Sequence, residues 1–264
     1  MELRELVWTS VVFKDPEGGQ IILWPYLPCV RMPQKLRIRK WDGLAILQSS
    51  DDLETIKEEE ESDVKSPGIH IDSVSSLGTS FSILINNLKE LDIDAPFIPD
   101  PEIIRLIHHS QNSRNGLPIY TIEPNSDDTM WSEWLTESAD EYVKIRNLIS
   151  SIWRSRRWKK NRKFAINKVM TSKYVDAELG AAAAICAAWW MEQRFPLSEK
   201  LISQKDARFA SRLRGALSDL RDGLADFSPT DGPILLVPVE QAYLPYIHKS
   251  LLSVKEIENM RPVR

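Results

Sequence analysis

An α/β fold, with a central mostly parallel or mixed sheet flanked by helices, is what the sequence predicts. Three observations carry that reading. Four short runs are almost wholly apolar, Ile21–Trp24, Leu44–Leu47, Leu117–Ile122 and Ile234–Val239. They lack the in-out alternation of a half-exposed strand, so each is expected to be buried on both faces. Long segments with apolar residues at helical spacing lie between them, the pattern of a sheet covered by helices. The chain of 264 residues is 42% hydrophobic and 27% charged, which suits a globular domain with a real core.

Taken in order, Leu6 to Phe13 has strand composition and is followed by Asp15-Pro16-Glu17-Gly18-Gly19, which is turn chemistry. With Ile21–Trp24 it predicts a hairpin. Pro25 and Pro28 are expected to end regular structure there. A Trp41-Asp42-Gly43 turn precedes the strand Leu44–Leu47. Residues 51–66 centre on Glu58-Glu59-Glu60-Glu61 and are read as an acidic, flexible insertion, either a solvated helix or a mobile loop. Ser80 to Leu91 places Phe81, Leu84, Ile85 and Leu88 on one helical face. Pro96-Phe97-Ile98-Pro99 is a rigid connector. Pro101 to Ser110 is a helix with proline in its first turn. Asn115-Gly116 is a turn before the strand Leu117–Ile122.

A helical section covers about 132–225. From Ser132 to about Ile152 the pattern is helical, with Tyr142, Ile145, Leu148, Ile149 and Ile152 on one face. A basic run follows. Asp176–Phe195 is an alanine-rich helix, and Ser198–Leu224 carries Leu201, Phe209, Leu213, Leu217 and Leu220 near one stripe. Asp231-Gly232-Pro233 turns the chain into the last strand, and a short helix starts near Pro245. No linker divides the chain, so 1–264 reads as a single domain.

Cys29 and Cys186 are far apart and fit no metal-binding spacing, so both are expected to be small buried apolar residues. Their scarcity, and no apolar leader at Met1–Leu6, point to a reducing, cytoplasmic location. The most apolar stretch, Leu179–Met191, is shorter than the about 20 residues a membrane span needs, so no membrane partner is expected. Signatures for phosphate loops, dinucleotide binding, zinc proteases and serine hydrolases are absent. His108 and His109 are adjacent, and neighbours on a helix point about 100° apart, so the histidines read as surface residues.

The second half carries a resemblance. Lys205-Asp206-Ala207-Arg208-Phe209-Ala210-Ser211-Arg212-Leu213 looks like the RDxxMAxxL helix of TraB-type proteins. Further on, Ile234-Leu235-Leu236-Val237-Pro238-Val239-Glu240-Gln241-Ala242-Tyr243-Leu244-Pro245 is similar to that family's terminal VVVGxxHxPG strand and turn. Leu117–Glu123 resembles its middle strand, Ile22–Pro28 its first strand with a GxxH ending, and Trp41–Leu47 its PDxVxxE strand. The matches run in the right order over most of the chain. In the TraB, ChaN-like and erythromycin-esterase-like group, strand-end His and Glu face one cleft, and some members are thought to be metal-dependent hydrolases. Here Tyr26 and Tyr243 stand at the two histidine positions and Leu47 at the glutamate position. A neutral phenol is a poor ligand for a divalent metal. The resemblance therefore implies a degenerate member without the metal-ligand set, with no metal and no cofactor.

Tyr-Leu-Pro occurs twice, at 26–28 and 243–245, each time after an apolar strand. Ligands bind at the carboxyl ends of parallel strands. The expected site is a cleft there for an unknown small molecule or protein partner, with Tyr26, Trp24, Gln241, Tyr243 and Arg208 as binding residues. A hydrolase reading of the same cleft uses Glu123, Asp206, Glu240 and Tyr243.

A third reading uses the basic run. Net charge is −4, yet Ile152–Lys168 holds eight Lys and Arg and no acid. Taking that +8 away leaves the remainder at −12. Trp153, Arg156, Arg157, Trp158, Lys159, Lys160, Arg162 and Lys163 interleave charge with aromatic rings, as surfaces for single-stranded nucleic acid do. The alternative is a solvated cationic helix whose Trp and Phe dock on the core, its charge balanced by the acidic body, or association with an acidic partner such as the Glu58–Glu61 run of another copy, which leaves room for a homo-oligomer.

Overall fold

The computed structural model describes residues 2–114, 116–223 and 232–263. Asn115, Leu224 and Asp231, which the sequence places in turns or at a helix end, lie outside the described residues. Strand β1 (Val11–Lys14) turns at 15–19 into β2 (Gln20–Tyr26). Gly18 and Gly19 take positive φ (101° and 84°), which residues bearing a Cβ rarely adopt, and the amide of Gly18 donates to the Asp15 carbonyl. β3 (Gly43–Ile46), β4 (Ile119–Thr121) and β5 (Ile234–Glu240) complete one five-stranded sheet in the order β1-β2-β5-β3-β4. Among the described strands the β1–β2 pair is antiparallel and the other pairs are parallel, with an isolated antiparallel bridge from Ile119 to Val263. All four apolar runs enter this sheet.

Between β3 and β4 lie α1 (Ser50–Lys65), α2 (Ile69–Ser75), α3 (Ser80–Leu88) and α4 (Pro101–Asn112). Between β4 and β5 lie α5 (Thr129–Val143), α6 (Ile145–Ile152), α7 (Arg154–Ile166), α8 (Ala177–Arg194) and α9 (Glu199–Gly223). Helix α10 (Leu244–Ser253) follows β5. The strands divide their side chains between two cores. On one face, Ile21 and Leu23 of β2 and Leu235, Val237 and Val239 of β5 pack against Leu213, Leu217 and Leu220 of α9. On the other, Trp24 and Tyr26 of β2 and Leu236 of β5 join Leu84, Ile103 and Leu106 from α3 and α4. Both faces are covered, which is why the runs do not alternate. The alanines of α8 contribute to both cores.

Several expectations are corrected. The segment from Leu6 to Phe13 is a strand only from Val11. Leu6 instead makes an isolated parallel bridge to Val169, with its amide bonded to the Lys168 carbonyl. Pro25 does not stop β2. The β1 partner ends opposite Leu23, so beyond it one edge of β2 is free and a missing N–H is tolerated. Pro238 sits in β5 for the same reason, past the last β3 partner at Leu236. Of the two forms expected for the acidic segment it takes the helical one, α1, begun by a Ser49–Asp52 capping box and anchored by buried Leu53 and Ile56. The expected helix breaks at Lys144 into α5 and α6, and the apolar stripe of α6 faces outward: Ile145, Leu148, Ile149 and Ile152 are exposed, while Tyr142 belongs to α5. Among the side chains described in that helix the buried one is that of Asn147, whose Nδ2 donates to the carbonyls of Glu141 and Pro196. An amphipathic pattern defines a face but not what covers it.

Helix α9 is held against the C-terminal segment. A Cβ placed on Gly215 would lie 1.7 Å from the Glu258 carbonyl oxygen, far inside contact distance. Gly215→Ala must therefore push α9 off that segment. A loss of about 1–3 kcal/mol or more is expected in urea unfolding, against the slight gain that Gly→Ala brings in an open helix. A variant as stable as the wild type would show that the segment is not packed there.

Candidate functional site

The parallel strands β2, β5 and β3 all point their carboxyl ends at one cavity of about 370 Å³. Tyr26 of β2, Pro238 and Glu240 of β5, and Leu47 and Gln48 after β3 line its sheet side. The register explains the grouping, since Tyr26 lies directly opposite Glu240. Ile103 of α4 also lines it. Trp134, Ser138 and Tyr142 of α5 form one wall. Trp189, Trp190 and Arg194 of α8 form another. Ile202, Lys205, Asp206 and Phe209 of α9 form a third, with Tyr243 beside them.

Most of its charged groups are already engaged. Asp206 accepts a hydrogen bond from the Tyr243 hydroxyl at 2.8 Å and from Arg194 Nη2 at 3.1 Å. The Arg194 guanidinium also lies over the rings of Trp190, Tyr246 and Tyr243, at 4.9, 5.2 and 5.4 Å. Lys205 sits 4.9 Å from the Phe209 ring centre and 5.6 Å from that of Trp134, with its Nζ 3.8 Å from a Glu123 oxygen. Trp134 in turn stacks on Trp131 with centroids 4.5 Å apart.

Glu240 differs. Among the described residues its carboxylate has no hydrogen-bond or ion-pair partner, although it lines the cavity and keeps some accessible surface there. Burial pushes its carboxyl up to about 7; Lys205 and Arg194 oppose that shift and Asp100 adds to it. Burial likewise raises the phenols of Tyr26 and Tyr243 well above their ordinary value, so both are neutral hydroxyls at physiological pH.

The structure brings together four of the residues singled out from sequence, Tyr26, Asp206, Glu240 and Tyr243. The others stand apart. Trp24 stacks behind Tyr26 at 6.2 Å and donates its indole N–H to the Leu36 carbonyl. Gln241 is buried, with Nε2 bonded to the Val7 carbonyl and Oε1 without a partner among the described residues. Arg208 pairs with Asp128 and Glu258 on another face of α9, and its hydrogen bonds hold Asp128 below the usual carboxylate range. Glu123 reaches the cavity only through Lys205; burial raises its carboxyl and Lys205 partly offsets this.

In the basic run, Trp158 is buried and has no free face for a base. Arg157 forms a two-pronged pair with buried Glu192, and Arg162 donates to Asn87. Trp153, Arg156, Lys159, Lys160 and Lys163 remain exposed. Among the described residues, no three His, Cys, Asp or Glu side chains are grouped so as to hold a metal ion. Nor is any helix long and apolar enough to cross a membrane.

Sequence reasoning missed Trp134, Trp189, Trp190, Arg194 and Lys205 as cavity residues. A signal existed for the α8 pair. Alanines up to Ala188 let that helix pack tightly, and two tryptophans at its end need space that the alanines do not fill. Neither a family model nor a curated protein matches this chain.

The unpaired carboxylate has a testable consequence for stability. Its folded value of about 7 lies above the ordinary 4.5, so the fold prefers the neutral acid. No penalty exists below about pH 4.5; it grows as pH rises to about 7 and stays constant above. Glu240→Gln should match wild type at pH 4 and exceed it at pH 8. The gain should be on the order of 2 kcal/mol, discounted from about 1.4 kcal/mol per pKa unit because water reaches the cavity. Urea unfolding across that range measures the gap; a gap independent of pH would contradict the assignment.

Proposed function

We propose that this protein binds a small organic molecule in the strand-end cavity, as a TraB/ChaN-like domain whose metal-ligand positions carry Tyr26, Tyr243 and Leu47. The observation that carries the reading is the carboxylate of Glu240, without a hydrogen-bond or ion-pair partner among the described residues, in a cavity that the rings of Tyr26, Trp134, Trp189, Trp190, Phe209 and Tyr243 help to line. The volume of about 370 Å³ falls in the roughly 300–1,000 Å³ range of small-molecule sites. Aromatic walls suit a flat, mostly apolar body, and the free carboxylate of Glu240 and the unpartnered Oε1 of Gln48 offer polar anchors. That Tyr26 and Tyr243 line the same cavity supports the family reading, which places its two strand-end histidines at these positions.

The hydrolase reading has less support. Asp206 is held by Tyr243 and Arg194, and Glu123 by Lys205, so neither stands free to act on a substrate. Glu240 alone lacks the second group that activates water or a nucleophile in such sites.

Trp134, Trp189 and Trp190 line the cavity, so an occupant changes tryptophan emission directly. A library of small aromatic compounds, each with one polar group, should contain members that shift this emission and raise the melting temperature of the wild type. Ile202→Trp, which fills the cavity from α9, should abolish both effects while the variant stays folded. Compounds that stabilise wild type and Ile202→Trp equally would place binding elsewhere and refute the proposal.

A further inference from the structure

The outward face of α6 and the exposed face of α7 form a second surface, unrelated to the cavity. Ile145 and Ile152 are 76% and 78% exposed, and Ile149 and Trp153 are more than half exposed. The helix turns its polar Asn147 inward and its aliphatic residues outward, the reverse of a helix that packs only on its own core. A cationic stripe begins where this apolar one ends. The guanidinium of Arg156 lies 4.6 Å over the ring of Trp153, and Lys159, Lys160 and Lys163 continue from it at helical spacing. All four are exposed, and no ion pair engages them among the described residues.

We infer that the α6–α7 segment docks on the surface of an anionic lipid membrane. Exposed aliphatics with a tryptophan, beside a cluster of lysine and arginine, are what a helix lying in the bilayer interface needs. The aliphatic side chains enter the acyl boundary, and the cations stay at the level of the phosphates. Charge complementarity commits the surface to an anionic partner, since the rest of the chain totals −12 and would turn away from the same membrane. Isoleucines have no flat face to stack on bases, so the aliphatic half of the surface favours lipid over nucleic acid. The expectation of no membrane partner rested on the lack of a spanning segment, which concerns crossing the bilayer and not lying on it.

Flotation of the full chain with phosphatidylcholine vesicles, with and without phosphatidylserine, tests this. Binding is expected only with phosphatidylserine, weakened by salt, with a blue shift of tryptophan emission. Lys159→Gln, Lys160→Gln and Lys163→Gln together should weaken it roughly a hundredfold, at about fivefold per lysine. Ile149→Asp with Ile152→Asp should abolish it, both variants keeping the wild-type melting temperature. Should that pair fail to fold, Ile145→Asp alone should still weaken binding. Three results would overturn the inference. One is no flotation with either vesicle. A second is binding to single-stranded RNA that the lysine changes remove and the isoleucine changes spare. The third is a dimer, split by the isoleucine changes, that does not float.

Discussion

Everything about the cavity depends on one pairing, that of β2 with β5. The two strands come from opposite ends of the chain and lie parallel over seven residue pairs, from Gln20 opposite Ile234 to Tyr26 opposite Glu240. Parallel strands cannot be joined by a tight turn, so nearly all the helical mass must lie between them. This pairing sets both cores, because alternate residues of the two strands supply both faces of the sheet. It also delivers a phenol and a carboxylate to the same strand end. A slip of one residue would turn Glu240 to the other face and bury it in the core.

The chemistry at that strand end follows from which charges find partners. Arg194, Asp206 and Tyr243 satisfy one another, and the guanidinium gains further from three aromatic faces. Lys205 is drawn to Phe209, Trp134 and Glu123. These cations are near enough to lower the carboxyl of Glu240 but make no hydrogen bond to it, so burial dominates. A desolvated, unpaired acid works against stability. The ligand proposed for the cavity would offset that cost at the mouth of the three parallel strands.

Most of the sheet was readable because double-sided burial leaves an unmistakable mark: Ile21–Trp24 and Ile234–Val239 contain almost nothing polar. The repeated Tyr-Leu-Pro also led to two residues of one cavity. Where the reading failed, information from distant partners decided the outcome. Leu6 has strand composition, but Val169 captures it. Pro25 looks like a terminator, but its neighbour strand has already ended. Arg157 looks like one more free cation of a basic run, yet it pairs with buried Glu192. The α6 stripe has the periodicity of a core helix, and nothing in 145–152 reveals that Asn147 is the inward side. Arg194 and Lys205 were missed because a cation over aromatic rings has no local spacing signature.

A crystallographic fragment screen on the full chain tests the proposed use of the cavity most directly. Fragments should cluster between Tyr26, Glu240 and the α8–α9 wall, each placing a polar atom within hydrogen-bond reach of the Glu240 carboxyl. Electron density showing Tyr142 or Trp190 folded into that space, with fragments bound only at other places, would contradict it.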